Sequence, residues 1–145
     1  MNQQRTIQAD GHLHGVIVGC QREDGHWLLI RRSATVAAPL KVCFPGGGIE
    51  KEESQSETAK REMKEEVGVD VLPRTQVWHF VSRERSLTLW GWHAELLSTE
   101  VRANLEEVDE ILWLTESQIR AHPDIMPHTE AFLDSLLENL EGCRD

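Results

Sequence analysis

The sequence predicts a single domain of the α/β (α+β) class, in which a central mixed β-sheet is covered by helices. Three observations predict this class. Short apolar segments are separated by turn signals, two longer segments carry apolar residues at helical spacing, and the elements follow the order β-β-β-α-β-β-β-α. The 145 residues are enough for one compact domain with a substantial core.

The N-terminal part of the chain predicts a tail and a β-hairpin. Residues 1–10 are polar and are expected to form a flexible tail, which leaves residues 11–141 as the domain. The run 13–20 predicts a strand rich in Val and Ile, and residues 27–30 predict the returning strand. Asp24-Gly25 lies between the two runs and is a strong signal for a hairpin turn.

The middle of the chain predicts a loop followed by a well-bounded helix. Residues 31–40 are expected to be a loop, and the run Pro45-Gly46-Gly47-Gly48 is expected to have no regular structure. Residues 54–67 predict a helix, because Ser54 to Glu57 form a capping box and Gly68 suits the position after the last turn.

The C-terminal half predicts three strands and a second helix. The strands are expected at residues 76–81, 87–95 and 111–114, with a turn between the first two. A helix is expected after Pro127, with Gly142 as its stop, because an apolar face is formed by Phe132, Leu133, Leu136, Leu137 and Leu140.

Composition and charge disfavour several classes of function. With 15 basic and 25 acidic residues the formal net charge is −10, which argues against a nucleic-acid backbone or an anionic membrane as partner. The three cysteines match neither a disulfide framework nor a zinc motif. The chain begins without an apolar signal segment and has no run as long as a membrane span, so a cytoplasmic location is expected.

The first predicted helix carries an unusual concentration of carboxylates. On a helical wheel, an apolar stripe is formed by Ala59, Met63 and Val67. The neighbouring sector holds three acids, Glu62, Glu65 and Glu66. A solvated acidic face is one interpretation. However, like charges at i and i+4 destabilise a helix, and a hard divalent cation such as Mg²⁺ would resolve the conflict. The preceding glycines allow positive φ and close approach of the backbone to a ligand or metal.

At this point the segment from Gly47 to Val69 resembles the signature of the Nudix hydrolase family, the MutT-like nucleotide pyrophosphohydrolases. That signature is Gly, five residues, Glu, seven residues, Arg-Glu, an aliphatic residue, any residue, Glu-Glu, any residue, Gly and an aliphatic residue. The chain matches every defined position: Gly47, Glu53, Arg61, Glu62, Met63, Glu65, Glu66, Gly68 and Val69. One departure is Glu52, which stands where family members usually carry Gly before the first glutamate.

The resemblance implies a Nudix-type α/β/α sandwich with a central mixed β-sheet. It also implies Mg²⁺-dependent hydrolysis of a diphosphate bond in a nucleoside diphosphate linked to another moiety, such as a nucleoside triphosphate or an ADP-sugar, with Mn²⁺ as an alternative ion. The metal-binding residues it implies are Glu62, Glu65, Glu66 and the backbone of Gly47. The structural positions it implies are Glu53, Arg61 and Gly68.

The predicted reaction is attack of metal-activated water on one phosphorus, without a covalent enzyme intermediate, because metal ions neutralise phosphate charge and acidify a bound water. The general base stays open between Glu65 or Glu66 of the helix and an acid of the loop before the last predicted strand. In that loop Glu107 fits the family pattern best, with Glu106 and Glu110 as alternatives. A plain surface role for these loop acids is equally compatible with the sequence.

Arginine and tryptophan side chains supply candidate substrate contacts. The arginine candidates for phosphate or ribose contacts are Arg31, Arg32, Arg83 and Arg85, because guanidinium groups suit bidentate contacts with phosphate. Plain solvation of exposed arginines is the alternative, and of the four Arg32 is assigned to substrate binding. Trp90 is assigned to stacking on a nucleobase. The alternative for Trp78, Trp90 and Trp92 is packing under a helix or at a dimer interface. The expected partner is a small nucleotide, with no nucleic acid and no membrane, and a homodimer is compatible with the sequence.

A second hypothesis from a different class is a non-catalytic Nudix-like module that senses a nucleotide or binds a partner. Such modules are expected to have lost acids of the signature, whereas this chain retains all of them. Turnover of a panel of nucleotides in the presence of Mg²⁺ discriminates the two hypotheses.

Overall fold

The computed structural model describes residues 7–142, and this part of the chain contains seven strands and three helices. The strands are β1 (Leu13–Gly19), β2 (Trp27–Arg32), β3 (Val42–Cys43), β4 (Gly46–Gly48), β5 (Val71–Ser82), β6 (Leu87–Leu96) and β7 (Val108–Leu114). The helices are α1 (Gln55–Val67), α2 (Glu116–Ala121) and α3 (Thr129–Gly142). Of the predicted tail, residues 1–6 lie outside the described residues, and Ile7 forms a bridge with Leu13. Among residues 7–142, no helix is long and apolar enough to cross a membrane.

The described strands form two sheets. A four-stranded mixed sheet has the order β4-β1-β6-β5, in which β1 runs parallel to β6 and antiparallel to β4. A three-stranded antiparallel sheet has the order β3-β2-β7. The predicted central mixed sheet is therefore present, and a second, smaller sheet accompanies it.

The predicted hairpin between the first two strands forms only next to its turn, where Gln21 bridges Trp27 and the N–H of Leu28 donates to the carbonyl oxygen of Cys20 at 2.9 Å. The turn itself exists, since the N–H of Arg22 donates to the carbonyl oxygen of His26 at 2.8 Å and Gly25 has a φ of 89°. Beyond this turn β1 joins the mixed sheet, whereas β2 joins the antiparallel sheet. A turn signal fixes only the reversal of the chain, because the pairing of each strand is decided by segments far away in the sequence.

The glycine run forms a strand, contrary to the expectation of irregular structure. β4 pairs with β1, with Gly47 opposite Val16. The three glycines of β4 are not among the described residues with positive φ, so conformational freedom is not what this position requires. A Cβ at Gly46 would lie 2.0 Å from the carbonyl oxygen of Val16. The absent side chains therefore permit a close approach between neighbouring backbones.

Helices cover both sides of the strands, as predicted. Side chains along β1 alternate, because successive residues of a strand point to opposite faces. Val16 and Val18 pack in one core cluster with the α1 stripe of Ala59, Met63 and Val67, which is fully buried. Ile17 packs in a second core cluster with α3 residues, including Phe132, Leu133 and Leu136.

Local capping signals locate α1 correctly. The hydroxyl of Ser54 accepts from the N–H of Glu57, and the Glu57 side chain accepts from the N–H of Ser54, which completes the predicted capping box. Gly68 ends the helix in the left-handed conformation, with a φ of 66°. Helix α1 is therefore fixed at both ends by residues that the sequence identifies.

One helix is added to the prediction, and several boundaries differ from it. Helix α2 is an addition: Thr115 and Gln118 form a capping box, but a single buried residue, Ile119, gives too little periodicity to predict a helix. Helix α3 includes Gly142, which was expected to end it. Strands β5 and β7 begin several residues earlier than predicted, since the first half of β5 is mostly exposed and carries no alternating apolar pattern.

Candidate active site

Helix α1 directs two of its acids into the protein interior. Glu62 and Glu66 lie one turn apart and are 1% and 5% exposed. Burial raises the pKa of Glu62 to about 7, and burial together with the charge of Glu62 raises the pKa of Glu66 to about 8. Adjacent buried carboxylates are unfavourable unless a cation neutralises them, and such perturbed groups concentrate at functional sites.

A third acid reaches this pair from the loop after β6. Glu107, Glu62 and Glu66 each offer one carboxylate oxygen, and these three oxygens lie within 4.8 Å of one another. The loop is held on the last turn of α1, where the N–H groups of Arg102 and Asn104 donate to backbone carbonyls at 2.8 and 2.9 Å. These bonds satisfy carbonyl groups that the helix end leaves without a partner. We call Glu62, Glu66 and Glu107 the acid cluster.

The glycine strand β4 lies directly against the acid cluster. A Cβ at Gly47 would lie 2.3 Å from Cδ of Glu62, so no other residue fits here without movement. The N–H of Gly46 donates to Oε1 of Glu66 at 2.9 Å. The strand thus orients one buried carboxylate by a hydrogen bond and leaves space for the other.

Arg61 connects the acid cluster to the loop before α1. Its Nε and Nη2 donate to the two carboxylate oxygens of Glu53 at 2.7 and 2.9 Å, and Nη2 also donates to the carbonyl oxygen of Gly48 at 2.9 Å. Its Nη1 donates to Glu62 at 2.8 Å and to Glu65 at 3.2 Å. The bidentate pair lowers the pKa of Glu53 to about 2. Arg61 therefore joins the loop, the glycine strand and the helix.

Glu65 lies beside the acid cluster. Its side chain is 24% exposed, and its Oε2 accepts from Arg61. The structure therefore brings together two of the three helix acids predicted as metal ligands, Glu62 and Glu66, with the loop acid predicted as a general base, Glu107. The assignment of Glu65 to metal binding or catalysis stays a prediction.

The acid cluster fits a small divalent cation. In octahedral Mg²⁺ coordination each oxygen lies about 2.1 Å from the ion, so ligands on opposite sides are about 4.2 Å apart. The cluster's oxygens lie within 4.8 Å of one another, and a small adjustment of the side chains brings all three onto one ion. Three carboxylates are also the hard ligands that Mg²⁺ and Mn²⁺ prefer.

A cleft of about 1340 Å³ extends from the glycine strand across the mixed sheet. Its floor is formed by small and aliphatic residues of β1 and β6, among them Gly15, Ile17 and Leu89. β4 lines one end, and Trp78 and Phe80 of β5 line the other. Because β4 and β5 are the two edges of a four-stranded sheet, the cleft spans three strand spacings, about 14 Å.

Three basic side chains and one acid, Glu84, line this cleft in a protein of net charge −10; the basic residues are Arg32, Lys41 and Arg85. Arg32 lies between the two ends. Burial lowers the pKa of His128, at the β5 end, and the charges of Arg85 and Arg32 lower it further. Near the other end, burial raises the pKa of Glu66, and the charge of Arg32 opposes this rise. The cleft is therefore electrostatically suited to an anionic ligand.

The two predicted substrate residues lie in different environments. Arg32 lines the cleft, and its Nε donates to the carbonyl oxygen of Ala37 at 2.6 Å. Trp90 is not among the described residues that line the cleft. Its Nε1 donates to Nδ1 of His14 at 3.0 Å, and its ring stacks between His14 and His79. Its indole also packs against the core beneath α1, so the packing alternative describes its surroundings.

Lys41, Phe80 and His128 also line the cleft and were absent from the sequence prediction. The strand repeat is a signal for Phe80, because residues at i and i+2 of a strand point to the same face and Trp78 is a stacking candidate in the same predicted strand. Lys41 and His128 lie outside the strands of the mixed sheet, so no local periodicity marks them.

Comparison with known proteins gives a family match and partial relatives. The family model described as the NUDIX domain matches residues 12–136. The NAD-capped RNA hydrolase NudC of Stutzerimonas stutzeri is 35% identical over 103 residues, which cover 68% of this chain and 36% of that protein. The 8-oxo-dGTP diphosphatase of Escherichia coli is 32% identical over 83 residues, which cover 55% of this chain and 64% of that protein. The chain thus spans less than two thirds of the length of each of these relatives.

Solved structures share the fold over nearly the whole chain. A MutT protein from Methanosarcina mazei superposes with a TM-score of 0.76 at 20% identity, covering 96% of this chain and 98% of the other. A NUDIX hydrolase from Nitrosomonas europaea gives a TM-score of 0.74 at 24% identity, covering 98% and 75%. At these identities the likeness establishes the fold alone, a mixed sheet with helices on both faces.

Proposed function

The chain belongs to the Nudix family, as its signature predicted, and from this premise we propose that it hydrolyses a diphosphate bond in a nucleoside diphosphate linked to another moiety. The observation that carries the proposal is the convergence of Glu62, Glu66 and Glu107 beside the glycine strand, which itself lines one end of a cleft with three basic side chains. The names of two relatives, an NAD-capped RNA hydrolase and an 8-oxo-dGTP diphosphatase, support a nucleotide as the substrate class.

The acid cluster would hold the divalent ion, Mg²⁺ or Mn²⁺. When bound, such an ion neutralises phosphate charge and lowers the pKa of a nearby water. Glu62 and Glu66 are buried, and a carboxylate attracts a cation more strongly where water does not screen it. Arg61 fixes the carboxylate of Glu62, and the N–H of Gly46 fixes that of Glu66, so both are oriented before the ion binds.

Glu107 is the residue we assign as general base. It is half-buried, whereas Glu62 and Glu66 are buried, so the Oε atom of Glu107 that would not bind the ion can accept a proton from the attacking water and release it to solvent. Glu65 is the alternative on α1, but its Oε2 accepts from Arg61 at 3.2 Å. This contact occupies one of the two oxygens that could accept the proton, and Glu65 is outside the acid cluster.

The basic residues of the cleft bind the phosphates that the ion does not reach. Arg32 lies between the acid cluster and the β5 end of the cleft, where the remaining part of the substrate would extend. A guanidinium group can hold two phosphate oxygens at once, so Arg32 would orient the phosphate chain as well as attract it.

The test is turnover of a nucleotide panel by the protein and two variants. With Mg²⁺, the protein should release phosphate or a nucleoside monophosphate from at least one compound. Glu66→Gln should lower kcat by more than about 100-fold, because it removes a charged ligand at the centre of the acid cluster. Glu106→Gln is the matched control, since Glu106 is exposed and precedes Glu107 in the same loop.

Two results would count against the proposal. A folded protein that turns over no compound in the panel favours the non-catalytic module instead. Near-normal turnover by Glu66→Gln contradicts the assignment of the metal site. Calorimetric titration with Mn²⁺ separates loss of metal binding from loss of folding, since the variant should bind the ion more weakly at a melting temperature that is not lowered.

A further inference from the structure

Three flat side chains line the end of the cleft that is remote from the acid cluster. Trp78 and Phe80 are two residues apart on β5, so their rings extend from the same face of the strand. The ring planes are within 4° of parallel, with centroids 6.0 Å apart. His128, from the segment before α3, lies 6.0 Å from the Trp78 ring and 6.2 Å from the Phe80 ring. We call Trp78, Phe80 and His128 the aromatic shelf.

Core packing accounts for only part of the aromatic shelf. The Trp78 ring contacts Phe132 of the second core at 5.5 Å, and Gly91 leaves the space for this contact, because a Cβ there would lie 2.4 Å from Phe132. Phe80 is different, since it is 40% exposed and lines the cleft. An aromatic ring that continues a buried stack into a cleft offers apolar surface that a planar ligand would remove from water.

The charges around the shelf narrow the chemistry of that ligand. Burial lowers the pKa of His128, and the charges of Arg85 and Arg32 lower it further, so both guanidinium groups are near and the neutral form of the imidazole is favoured. A ligand that fits has a planar group with apolar faces, and this group is linked to a negatively charged group. A nucleobase joined through ribose to phosphate meets all three requirements.

The width of the sheet fixes where the base lies relative to the bond that is cut. Trp78 and Phe80 of the shelf are on β5 and the acid cluster is beside β4, and these two strands are three strand spacings, about 14 Å, apart. A base on the shelf is therefore separated from the acid cluster by the ribose and the phosphate chain, which places phosphate beside Arg32. We propose that the aromatic shelf stacks on the base of the substrate's nucleoside, an inference that rests on the proposed function for the position of the diphosphate.

The test compares two ligands that differ only by the base. Binding of AMP and of ribose 5-phosphate is measured by calorimetry in EDTA, so that neither metal nor turnover contributes. The protein should prefer AMP by between about fivefold and about 150-fold, the ratio that corresponds to about 1–3 kcal/mol of stacking. Phe80→Ala and Phe80→Leu should both lose most of this preference, and Phe80→Leu shows that the ring itself is required rather than apolar volume.

The matched control is Leu72→Ala. Leu72 is on the same strand, is 38% exposed and is not among the described residues that line the cleft, so the preference for AMP should be unchanged. Equal affinities of the two ligands, or an unchanged preference in both folded Phe80 variants, would overturn the proposal. If the protein hydrolyses a nucleotide but does not prefer AMP, the role of the aromatic shelf is wrong and the proposed function stands. If the protein prefers AMP but turns over no nucleotide, the role of the aromatic shelf is supported and the proposed function is contradicted.

Discussion

Replacing Gly47 with alanine tests whether the glycine strand positions the acid cluster. A Cβ at this position would lie 2.3 Å from Cδ of Glu62 and 2.4 and 2.5 Å from its two carboxylate oxygens. Glu62 cannot turn toward solvent, because its side chain is 1% exposed and Arg61 holds its Oε1 at 2.8 Å. Either the carboxylate or the strand must therefore move by about 1 Å to reach an ordinary contact distance.

This displacement should impair catalysis far more than folding. A misplacement of about 1 Å in a positioned active site lowers the rate by about 100-fold. Over-packing by one methyl group costs about 1–3 kcal/mol, whereas a domain is typically stable by about 5–15 kcal/mol. The Gly47→Ala protein should therefore be folded at room temperature and nearly inactive, although every acid of the cluster is still present.

The assay is kcat/KM on the best compound of the nucleotide panel at saturating Mg²⁺, with thermal unfolding measured on the same preparations. Gly142→Ala is the matched control, since a Cβ at that position meets nothing within 4 Å. It should leave kcat/KM unchanged. A folded Gly47→Ala protein with kcat/KM close to that of the unmodified protein would refute the reasoning, because the acid cluster would then tolerate the shift.

Two further predictions concern stability. Without metal, the free energy of unfolding should fall as pH rises from about 4.5 to about 8, because the raised pKa values of Glu62 and Glu66 mean that the folded state binds more protons than the unfolded state in this window. Melting temperatures in EDTA that stay constant across this range would contradict this, and Mg²⁺ should restore stability at pH 8. Glu52→Gly should stabilise the protein by about 0.5–1 kcal/mol, because exposed Glu52 holds a left-handed φ of 67° that costs a non-glycine residue about 1–2 kcal/mol. The control is Lys51→Gly at the neighbouring position, which is not among the described residues with positive φ and should destabilise the protein. Both changes in the free energy of unfolding are measured in urea, and changes of the same sign would contradict this explanation.

Helix α1 could be predicted from the sequence because its determinants are local. The capping box of Ser54 and Glu57 and the left-handed Gly68 each act within four residues of the helix end they fix. The apolar stripe needs only the helical repeat, and Ala59 and Met63 are buried as the repeat requires. The position of Glu52 is informative in the same way, since its left-handed φ explains why glycine is usual at that point of the signature.

The sheets could not be predicted to the same depth, because their pairing is long-range. The parallel partner of β1 is β6, so Leu13 lies opposite Leu87. No local pattern distinguishes that pairing from a hairpin with β2, for which the turn at Gly25 is a strong local signal. The glycine strand was missed for a related reason. Its residues have no side chains to alternate, and only their pairing with β1, from Gly15 to Ile17, makes them a strand.

The candidate site shows the same division between local and distant information. A helical wheel groups Glu65 with Glu62 and Glu66, yet Arg61 contacts Glu65 at 3.2 Å and Glu107 completes the cluster. Glu107 is brought there by backbone hydrogen bonds from its loop to the last turn of α1. Such bonds are made by every residue type, so they leave no signal in the sequence, and only the resemblance to a family singled out this acid.

The arrangement of charge explains how an acidic protein can act on an anionic substrate. Burial raises the pKa of Glu62 and of Glu66, and the charge of Glu62 raises that of Glu66 further, in a protein of net charge −10. A divalent ion stabilises both groups in the ionised form, so binding of the ion would offset the cost of burying their charges. The remaining phosphate charge then meets Arg32, Lys41 and Arg85 along the cleft. The substrate is therefore held between the ion at one end and the basic residues along the sheet, and neither attraction depends on the sign of the net charge.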